Sequence, residues 1–243
     1  HTYLVVRRIL REEKPDLVIT RNLKGLGYTV PLAIKNVKCK IKNVKWFHGI
    51  HDLGALHPRG FMQWGKERVI RQPNPVVHLY RAICCRLFGS PDAVVAPSQF
   101  VLDEFKRSGF FPKSDQRVIR NPVQPSSALH NGAIAPLCNG YRFLYLGQLE
   151  PYKGLRILIK SWRIFVAQHP DASLEIVGQG SMEAELARAA QMIPGIALRG
   201  FVPHDELGVL LAKTRATIMP SLAYETFGMS AAESLAHNVP VIA

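Results

Sequence analysis

Two glutamates near the end of the chain frame a short turn that contains a glycine. Glu225 and Glu233 stand eight positions apart in "YETFGMSAAES", and the residues between them are small or neutral. Carboxylates are good acceptors for the hydroxyl groups of a sugar or a ribose. We predict that Glu225 lies in a loop and that a helix begins near Phe227 or Gly228, which places Glu233 about a turn and a half inside it. The two acids can then reach different parts of one extended ligand.

The turn between the two acids offers main-chain N–H groups to a ligand. The amides of Phe227, Gly228 and Met229 would open the helix, where free N–H groups and the positive end of the helix dipole favour an anion. The alternative is an exposed acid pair on an ordinary helix start. The spacing leaves both interpretations open.

Glycines and one lysine follow four successive apolar runs in the second half of the chain. Ligands of open parallel sheets bind beyond the carboxyl ends of the strands, and glycine lets them approach the backbone. The combination indicates a phosphate-bearing ligand, although any single glycine can simply end an element. The set comprises Gly147, Gln148 and Lys153 after the first run, Gly178 and Gly180 after the second, Phe201 after the third, and Glu225 after the fourth.

The elements that must position these residues alternate between strand and helix. "RFLYLGQ", "SLEIVGQG", "IALRGF" and "ATIMPS" predict strands, with one amphipathic helix between each pair. Such alternation implies right-handed crossovers and a parallel sheet. Ser181 is the predicted N-cap of the second helix of this half.

The first half repeats the pattern less cleanly. Helices are predicted at 2–13, near 26–36, near 76–88 and over "FVLDEFKRSG", and a long loop at 52–75. "DLVIT", "VKWFHGI", "AVVAPS" and "QRVIRN" predict strands. We therefore predict an α/β fold of two Rossmann-like doubly wound parallel-sheet domains, at 1–128 and 141–243. A linker is expected at 129–140, where the chain is uncharged and rich in Pro, Asn and Gly.

The positive charge of the chain is concentrated in its first half. The formal net charge is +13, and residues 1–137 hold 22 Lys+Arg against 9 Asp+Glu, whereas residues 138–243 hold 9 of each. A one-sided basic field favours an anionic partner such as membrane phospholipid, a phosphorylated ligand or nucleic acid. A solvated basic face without a partner is the alternative.

Composition excludes several other classes of protein. No apolar run approaches the roughly 18 residues of a membrane span. The four cysteines lack the spacing of metal ligands and are expected to be reduced core residues, typical of a cytosolic protein.

The two ends of the sequence suggest a fragment. A start at His1 and an apolar end at Ala243 predict an internal part of a longer protein, with both domains truncated.

Several stretches, in order, resemble a known family. "GQLEPYKG", "LEIVGQGSMEAEL", "RGFVPHDEL" and "ETFGMSAAESLAHNVPVIA" look like the nucleotide-sugar domain of glycosyltransferase family 4, which has the GT-B fold. This resemblance covers essentially all of 141–243. "WFHGI", "VVAPSQFVLDEF" and "VIRNPV" are similar to the acceptor domain of that family from its middle onward. The resemblance implies two Rossmann-like domains across a cleft, with the donor nucleotide on the second.

The resemblance also implies roles for individual residues. His48 would reach the donor sugar from the first domain, with His51 as the competing candidate and a packing role for His48 as the alternative. Together with Lys153 and Glu225 it would form the catalytic set. Lys153 would hold the donor diphosphate beside Gly147 and Gln148, Gly178 and Gly180 would lie near the nucleotide, and Phe201 would flank the base. Glu225 would bind sugar hydroxyls, the amides of Phe227, Gly228 and Met229 would meet sugar and phosphate, and Glu233 would bind the ribose.

One departure from the family concerns the diphosphate. The family usually has arginine where this chain has Gln148, so the site would lose one of two cations. Reduced activity or donor affinity is the expected consequence.

The implied reaction is transfer of a sugar from a UDP- or GDP-linked donor to an acceptor hydroxyl, with retention at the anomeric carbon. No metal and no further cofactor is expected, because protein cations and helix amides would stabilise the leaving diphosphate. A basic acceptor domain suits a glycan or lipid-linked glycan acceptor at the anionic inner face of the cytoplasmic membrane. This places the expected reaction in surface-polysaccharide or glycolipid assembly.

Two other functions remain open at this point. A nucleotide-sugar epimerase can share the fold, although the spacing of Lys153, Glu225 and Glu233 fits a transferase better. A non-enzymatic anion-binding protein would explain the basic half. Nucleic acid is not an expected partner, since the sequence contains no recognisable nucleic-acid motif or aromatic platform.

Overall fold

The computed structural model describes residues 1–23, 27–39, 44–123 and 140–243, which form two separate parallel sheets. The chain divides into the units His1–Asn121 and Pro122–Ala243. Each unit alternates strands with helices, so the predicted α/β class of two doubly wound parallel-sheet domains is confirmed. All of the predicted linker at 129–140 except Gly140 lies outside the described residues.

The first unit is a four-stranded sheet in the order β1-β2-β3-β4 with parallel pairing throughout. Its elements are α1 (Thr2–Glu13), β1 (Leu17–Arg21), α2 (Thr29–Lys38), β2 (Lys45–Gly49), α3 (Arg68–Arg71), α4 (Pro75–Phe88), β3 (Ala93–Ala96), α5 (Gln99–Arg107) and β4 (Asp115–Val118). The predicted elements are all present. The short helix α3 is an addition within the stretch that was expected to be loop throughout.

Side chains of β2 alternate between the interior and the surface of the first unit. Trp46 and His48 are buried, whereas Phe47 is exposed. This is the period of two that a pleated strand imposes. The interior side of β2 faces phenylalanines from α4 and from the loop after α5, including Phe88 and Phe111.

The second unit is a five-stranded sheet in the order β7-β6-β5-β8-β9, again with parallel pairing. Its elements are β5 (Arg142–Leu146), a short 3-10 helix (Pro151–Lys153), α6 (Leu155–Gln168), β6 (Ser173–Val177), α7 (Glu183–Met192), β7 (Ile196–Gly200), α8 (His204–Leu211), β8 (Ala216–Ile218), α9 (Met229–Ala236) and β9 (Val241–Ile242).

Helices cover both faces of this second sheet. Tyr145 of β5 packs with Trp162 of α6 on one face, and its neighbour Leu144 packs with Leu211 of α8 on the other. Consecutive strand residues point to opposite faces, so the two clusters are separate cores. Burial on both sides explains why the strands are continuous apolar runs.

Two local predictions were wrong. Met182, not Ser181, occupies the N-cap of α7, and the Ser181 hydroxyl instead donates to Glu150 Oε2 at 2.7 Å. Cys39 is exposed rather than in the core, whereas Cys84 is buried. Cys39 follows the last turn of α2, where the chain leaves the interior.

Candidate functional site

The carboxyl ends of β5, β6 and β7 surround a cavity of about 500 Å³. Its lining includes Gly147, Gln148, Gly178, Phe201, His204 and Glu233. The sequence predicted five of these six as site residues. The parallel sheet brings them together because its strands end at one edge.

Glycines at this edge allow two loops to pack against each other. A Cβ on Gly178 would lie 1.8 Å from the carbonyl oxygen of Gly147, and a Cβ on Gly180 would lie 2.5 Å from that of Leu149. Gly178 also has a φ of +145°, which side chains rarely adopt. Close backbone packing is therefore sufficient to explain glycine at both positions.

Main-chain hydrogen bonds fix these loops. The Leu149 N–H donates to Gln179 O at 2.9 Å, and the Met182 N–H donates to Leu149 O at 2.9 Å. On the other side of β5, the Tyr152 carbonyl accepts from the N–H groups of Leu222 and Ala223 at 2.9 and 3.1 Å. The loops after β5, β6 and β8 thus form one connected edge.

Lys153 and Glu225 form an ion pair across this edge. Lys153 Nζ lies 2.7 Å from Glu225 Oε1, and the two side chains are only 21% and 25% exposed. The resemblance assigned these residues to different groups of a donor. The structure brings them into direct contact, so an anion that binds Lys153 must share or displace the carboxylate.

Glu225 lies in the loop before α9, as predicted, and Gly228 is the N-cap of that helix with a φ of +81°. Phe227, Gly228 and Met229 are thus at the helix start, close along the chain to the Lys153–Glu225 pair. Gly228 has no side chain that could cap the first turn. Amides in such a first turn can serve an anionic ligand.

Glu233 projects from α9 into the lining of the cavity and is half-buried. Burial raises the pKa of its carboxyl, and the nearby His204 and His237 oppose that rise. His204 Nδ1 lies 3.9 Å from Glu233 Oε1. The two glutamates therefore have different surroundings, one beside a lysine and one on the cavity wall.

His204 was not among the predicted site residues. Its position in "RGFVPHDEL" could have identified it, because His204 follows Pro203 and begins the helix after β7. A residue at that position of a parallel sheet belongs to the ligand-binding edge.

Tyrosines contact Gln148 at both its main chain and its side chain. The Tyr145 hydroxyl donates to the Gln148 carbonyl at 2.8 Å, and the Tyr152 hydroxyl donates to Gln148 Oε1 at 2.8 Å. Burial raises the pKa of both tyrosines, so their hydroxyls stay protonated at neutral pH.

His48 is enclosed within the first unit. The residue is 6% exposed, its Nδ1 lies 2.9 Å from Thr20 Oγ1, and its ring centroid lies 4.9 Å from that of Phe88. Burial, with a smaller contribution from His51, lowers the pKa of His48 to about 4. These contacts are those of a neutral packing residue.

His51 occupies a more open position at the carboxyl ends of β1 and β2. Arg21 Nε donates to His51 Nε2 at 3.0 Å. Burial and the charge of Arg21 lower the pKa of His51. Of the two candidate histidines, His51 is the one with a partly accessible side chain at the strand ends.

The described residues contain no group of three or more His, Cys, Asp or Glu side chains arranged to hold a metal ion. Across the same parts of the chain, no helix combines the length and apolar character required to cross a bilayer.

Comparison with known proteins finds matches in both halves of the chain. Residues 2–127 match the family model described as Glycosyltransferase Family 4, and residues 138–243 match the one described as Glycosyl transferases group 1. A glycosyltransferase of Bacillus subtilis, YqgM, described as uncharacterized, is 30% identical over 72% of this chain and 47% of its own length. D-rhamnosyltransferase WbpZ of Pseudomonas aeruginosa is 31% identical over 79% of this chain and 51% of its own length. The chain thus spans about half the length of these relatives.

A solved structure shares the fold. HepE of Anabaena, crystallised in complex with UDP, superimposes with a TM-score of 0.68 at 20% identity, over 100% of this chain and 62% of its own. The two Rossmann-like sheets are those of the GT-B glycosyltransferases. The chain belongs to glycosyltransferase family 4.

Proposed function

We propose that the protein transfers a sugar from a nucleotide-sugar donor to an acceptor hydroxyl, with retention at the anomeric carbon. The proposal rests on the groups found at one edge of the second sheet. A cavity lined by Gln148 and Glu233 lies at the strand ends there, and the loops of the same edge hold the Lys153–Glu225 ion pair. Acceptors for ribose and sugar hydroxyls thus occur with donors for a diphosphate.

Each group has a proposed task. Glu233 binds the ribose, and Glu225 binds hydroxyls of the donor sugar. Lys153, the Gln148 amide and the N–H groups at the start of α9 stabilise the charge of the leaving diphosphate. We propose that these donors suffice without a metal ion or further cofactor.

The donor is proposed to be UDP- or GDP-linked, and the UDP complex of HepE makes UDP the first nucleotide to test. Calorimetric titration of the protein with UDP, GDP and ADP, with and without a chelator, identifies the base and tests metal independence. Nucleoside diphosphate released only when acceptor is present supports a transferase. Release without acceptor, or a rearranged donor sugar, would contradict it in favour of hydrolysis or epimerisation.

The uncharged amide at position 148 should limit affinity for the diphosphate. We expect Gln148→Arg to tighten binding of a nucleoside diphosphate, since a charge-assisted hydrogen bond contributes up to about 1.5–3 kcal/mol. Binding of the nucleoside alone should be nearly unchanged. Calorimetry with UDP and uridine measures both, and weaker or equal UDP binding by the variant would show that another cation already serves that place.

The acceptor is proposed to be a glycan or lipid-linked glycan at an anionic membrane on the cytoplasmic side. An apolar face of α4 in the first unit supports this, since Val76, Leu79 and Ile83 are 76%, 62% and 50% exposed. The exposed Arg86 lines a groove of about 570 Å³ beside Ile83. Apolar side chains flanked by cations fit a surface of anionic phospholipid.

Vesicle sedimentation tests whether this face of α4 binds a membrane. The protein should bind vesicles that contain anionic phospholipid and should bind neutral vesicles much more weakly. Leu79→Glu should reduce that binding severalfold, whereas Ile164→Glu, at a similarly exposed position (67%) in the second unit, should not. Equal losses in both variants, or stronger binding to nucleic acid than to vesicles, would contradict the proposal.

A further inference from the structure

The side-chain amide of Gln148 is held by a neighbour. Tyr152 donates its hydroxyl proton to Oε1 at 2.8 Å. The Gln148 main chain is fixed separately, because its carbonyl accepts from the Tyr145 hydroxyl. Turning the amide over would bring its NH₂ group to the Tyr152 hydroxyl, which would then have to accept a hydrogen bond instead of donating one, while the backbone stays in place.

In the observed arrangement this hydrogen bond occupies the oxygen end of the Gln148 amide. A glutamine amide has an oxygen that accepts and an NH₂ group that donates. With the oxygen engaged by Tyr152, the NH₂ group remains for a ligand in the cavity that Gln148 lines. An unrestrained amide could also present its oxygen, which would repel a phosphate.

The position of the tyrosine is set by the backbone around it. Tyr152 lies in the short 3-10 helix Pro151–Lys153, and its carbonyl accepts two N–H groups from the loop after β8. Lys153 follows directly, so the same turn places both the amide's partner and the cation of the site. Tyr152 is itself partly buried.

We propose that Tyr152 is a positioning residue that presents the NH₂ group of Gln148 to an anionic ligand at the end of β5. The ligand class rests on the proposed function, in which the anion is the diphosphate of the donor. An arginine at this position would need no such partner, because a guanidinium has only donors. The uncharged amide of this chain needs one, and Tyr152 supplies it.

The test is a double-mutant cycle with inorganic pyrophosphate as the probe. Tyr152→Phe removes the hydroxyl and keeps the ring. We expect it to weaken pyrophosphate binding about threefold to tenfold in the otherwise native protein, the effect of one hydrogen bond. In the Gln148→Arg background the same change should have an effect of less than about twofold, because no amide remains to be oriented. Tyr141→Phe, on the same unit, serves as the matched control and should change neither.

The outcomes separate this role from a structural one. Equal weakening in both backgrounds would mean that Tyr152 only supports the loop, and no weakening in the native background would mean that it does not act on the ligand. Either result overturns the proposal. Absence of pyrophosphate binding in the unaltered protein would overturn it together with the proposed function. A loss confined to the native background, without sugar transfer from any donor, would leave the role of Tyr152 standing and refute only the transferase.

Discussion

Glu233→Gln is expected to weaken binding of a nucleoside diphosphate and of the complete sugar nucleotide by the same factor. Both ligands carry the ribose that we assign to this carboxylate. Loss of one charged acceptor corresponds to a decrease on the order of tenfold to a hundredfold. The half-buried position of Glu233 on the cavity wall favours the upper part of that range, because water competes less effectively there.

Calorimetry with UDP and the matching sugar nucleotide measures both affinities. Glu206→Gln is the matched control, since Glu206 is an exposed acid of α8 that does not line this cavity. A loss for the sugar nucleotide alone would place Glu233 on the sugar and would refute its assignment to the ribose.

The same contact predicts a dependence on pH. Burial raises the pKa of Glu233, so its carboxylate takes up a proton at higher pH than an ordinary glutamate does. Protonation replaces a charged acceptor by a neutral group, and nucleotide affinity should therefore fall as the pH is lowered through that raised pKa. Glu233→Gln should remove this part of the pH profile. An identical profile in both proteins would assign the titration to another group.

Much of the fold and of this edge could be predicted because both depend on local pattern. Apolar runs that end in glycine, each followed by a helix, specify a parallel sheet whose strand ends share one edge. Phe201 followed from that rule without any knowledge of contacts, and Glu233 followed from its spacing to Glu225. The start of α9 followed from the glycine between the two acids.

Contacts between distant loops could not be predicted in the same way. Lys153 and Glu225 are 72 positions apart, and only the order of the strands brings β5 and β8 side by side.

Two features within single loops or strands were also missed. The Tyr152–Gln148 hydrogen bond depends on the local 3-10 turn, which has no strong sequence signal. The burial of His48 could have been inferred, because a pleated strand places it on the same side as Trp46.

Glu225→Gln is expected to change binding and turnover in opposite directions. From the sequence alone, nucleoside diphosphate binding should be nearly unaffected while turnover falls, because the partner of Glu225 is the sugar. The ion pair alters the first half of that expectation. A diphosphate that approaches Lys153 competes with a carboxylate 2.7 Å away, and the amide of glutamine competes less.

The two effects differ in size for a physical reason. A partly exposed ion pair contributes up to about 1 kcal/mol, so nucleoside diphosphate binding should tighten by about fivefold or less. Turnover should fall on the order of tenfold to a hundredfold, since a charged acceptor of the donor sugar is lost. Calorimetry with nucleoside diphosphate and the rate of its release from the sugar nucleotide measure the two quantities.

A lysine variant provides the control for this prediction. Lys153→Met should weaken nucleoside diphosphate binding by itself, and adding Glu225→Gln to it should no longer tighten binding, because no cation remains to be released. Tightening in that double variant would show that Glu225 repels the diphosphate directly instead of through Lys153. If Glu225→Gln instead weakens both nucleoside diphosphate binding and turnover, the ion pair must hold the loop in place. A Glu225 that merely competes with the diphosphate for Lys153 could not strengthen diphosphate binding, so its removal could not weaken that binding.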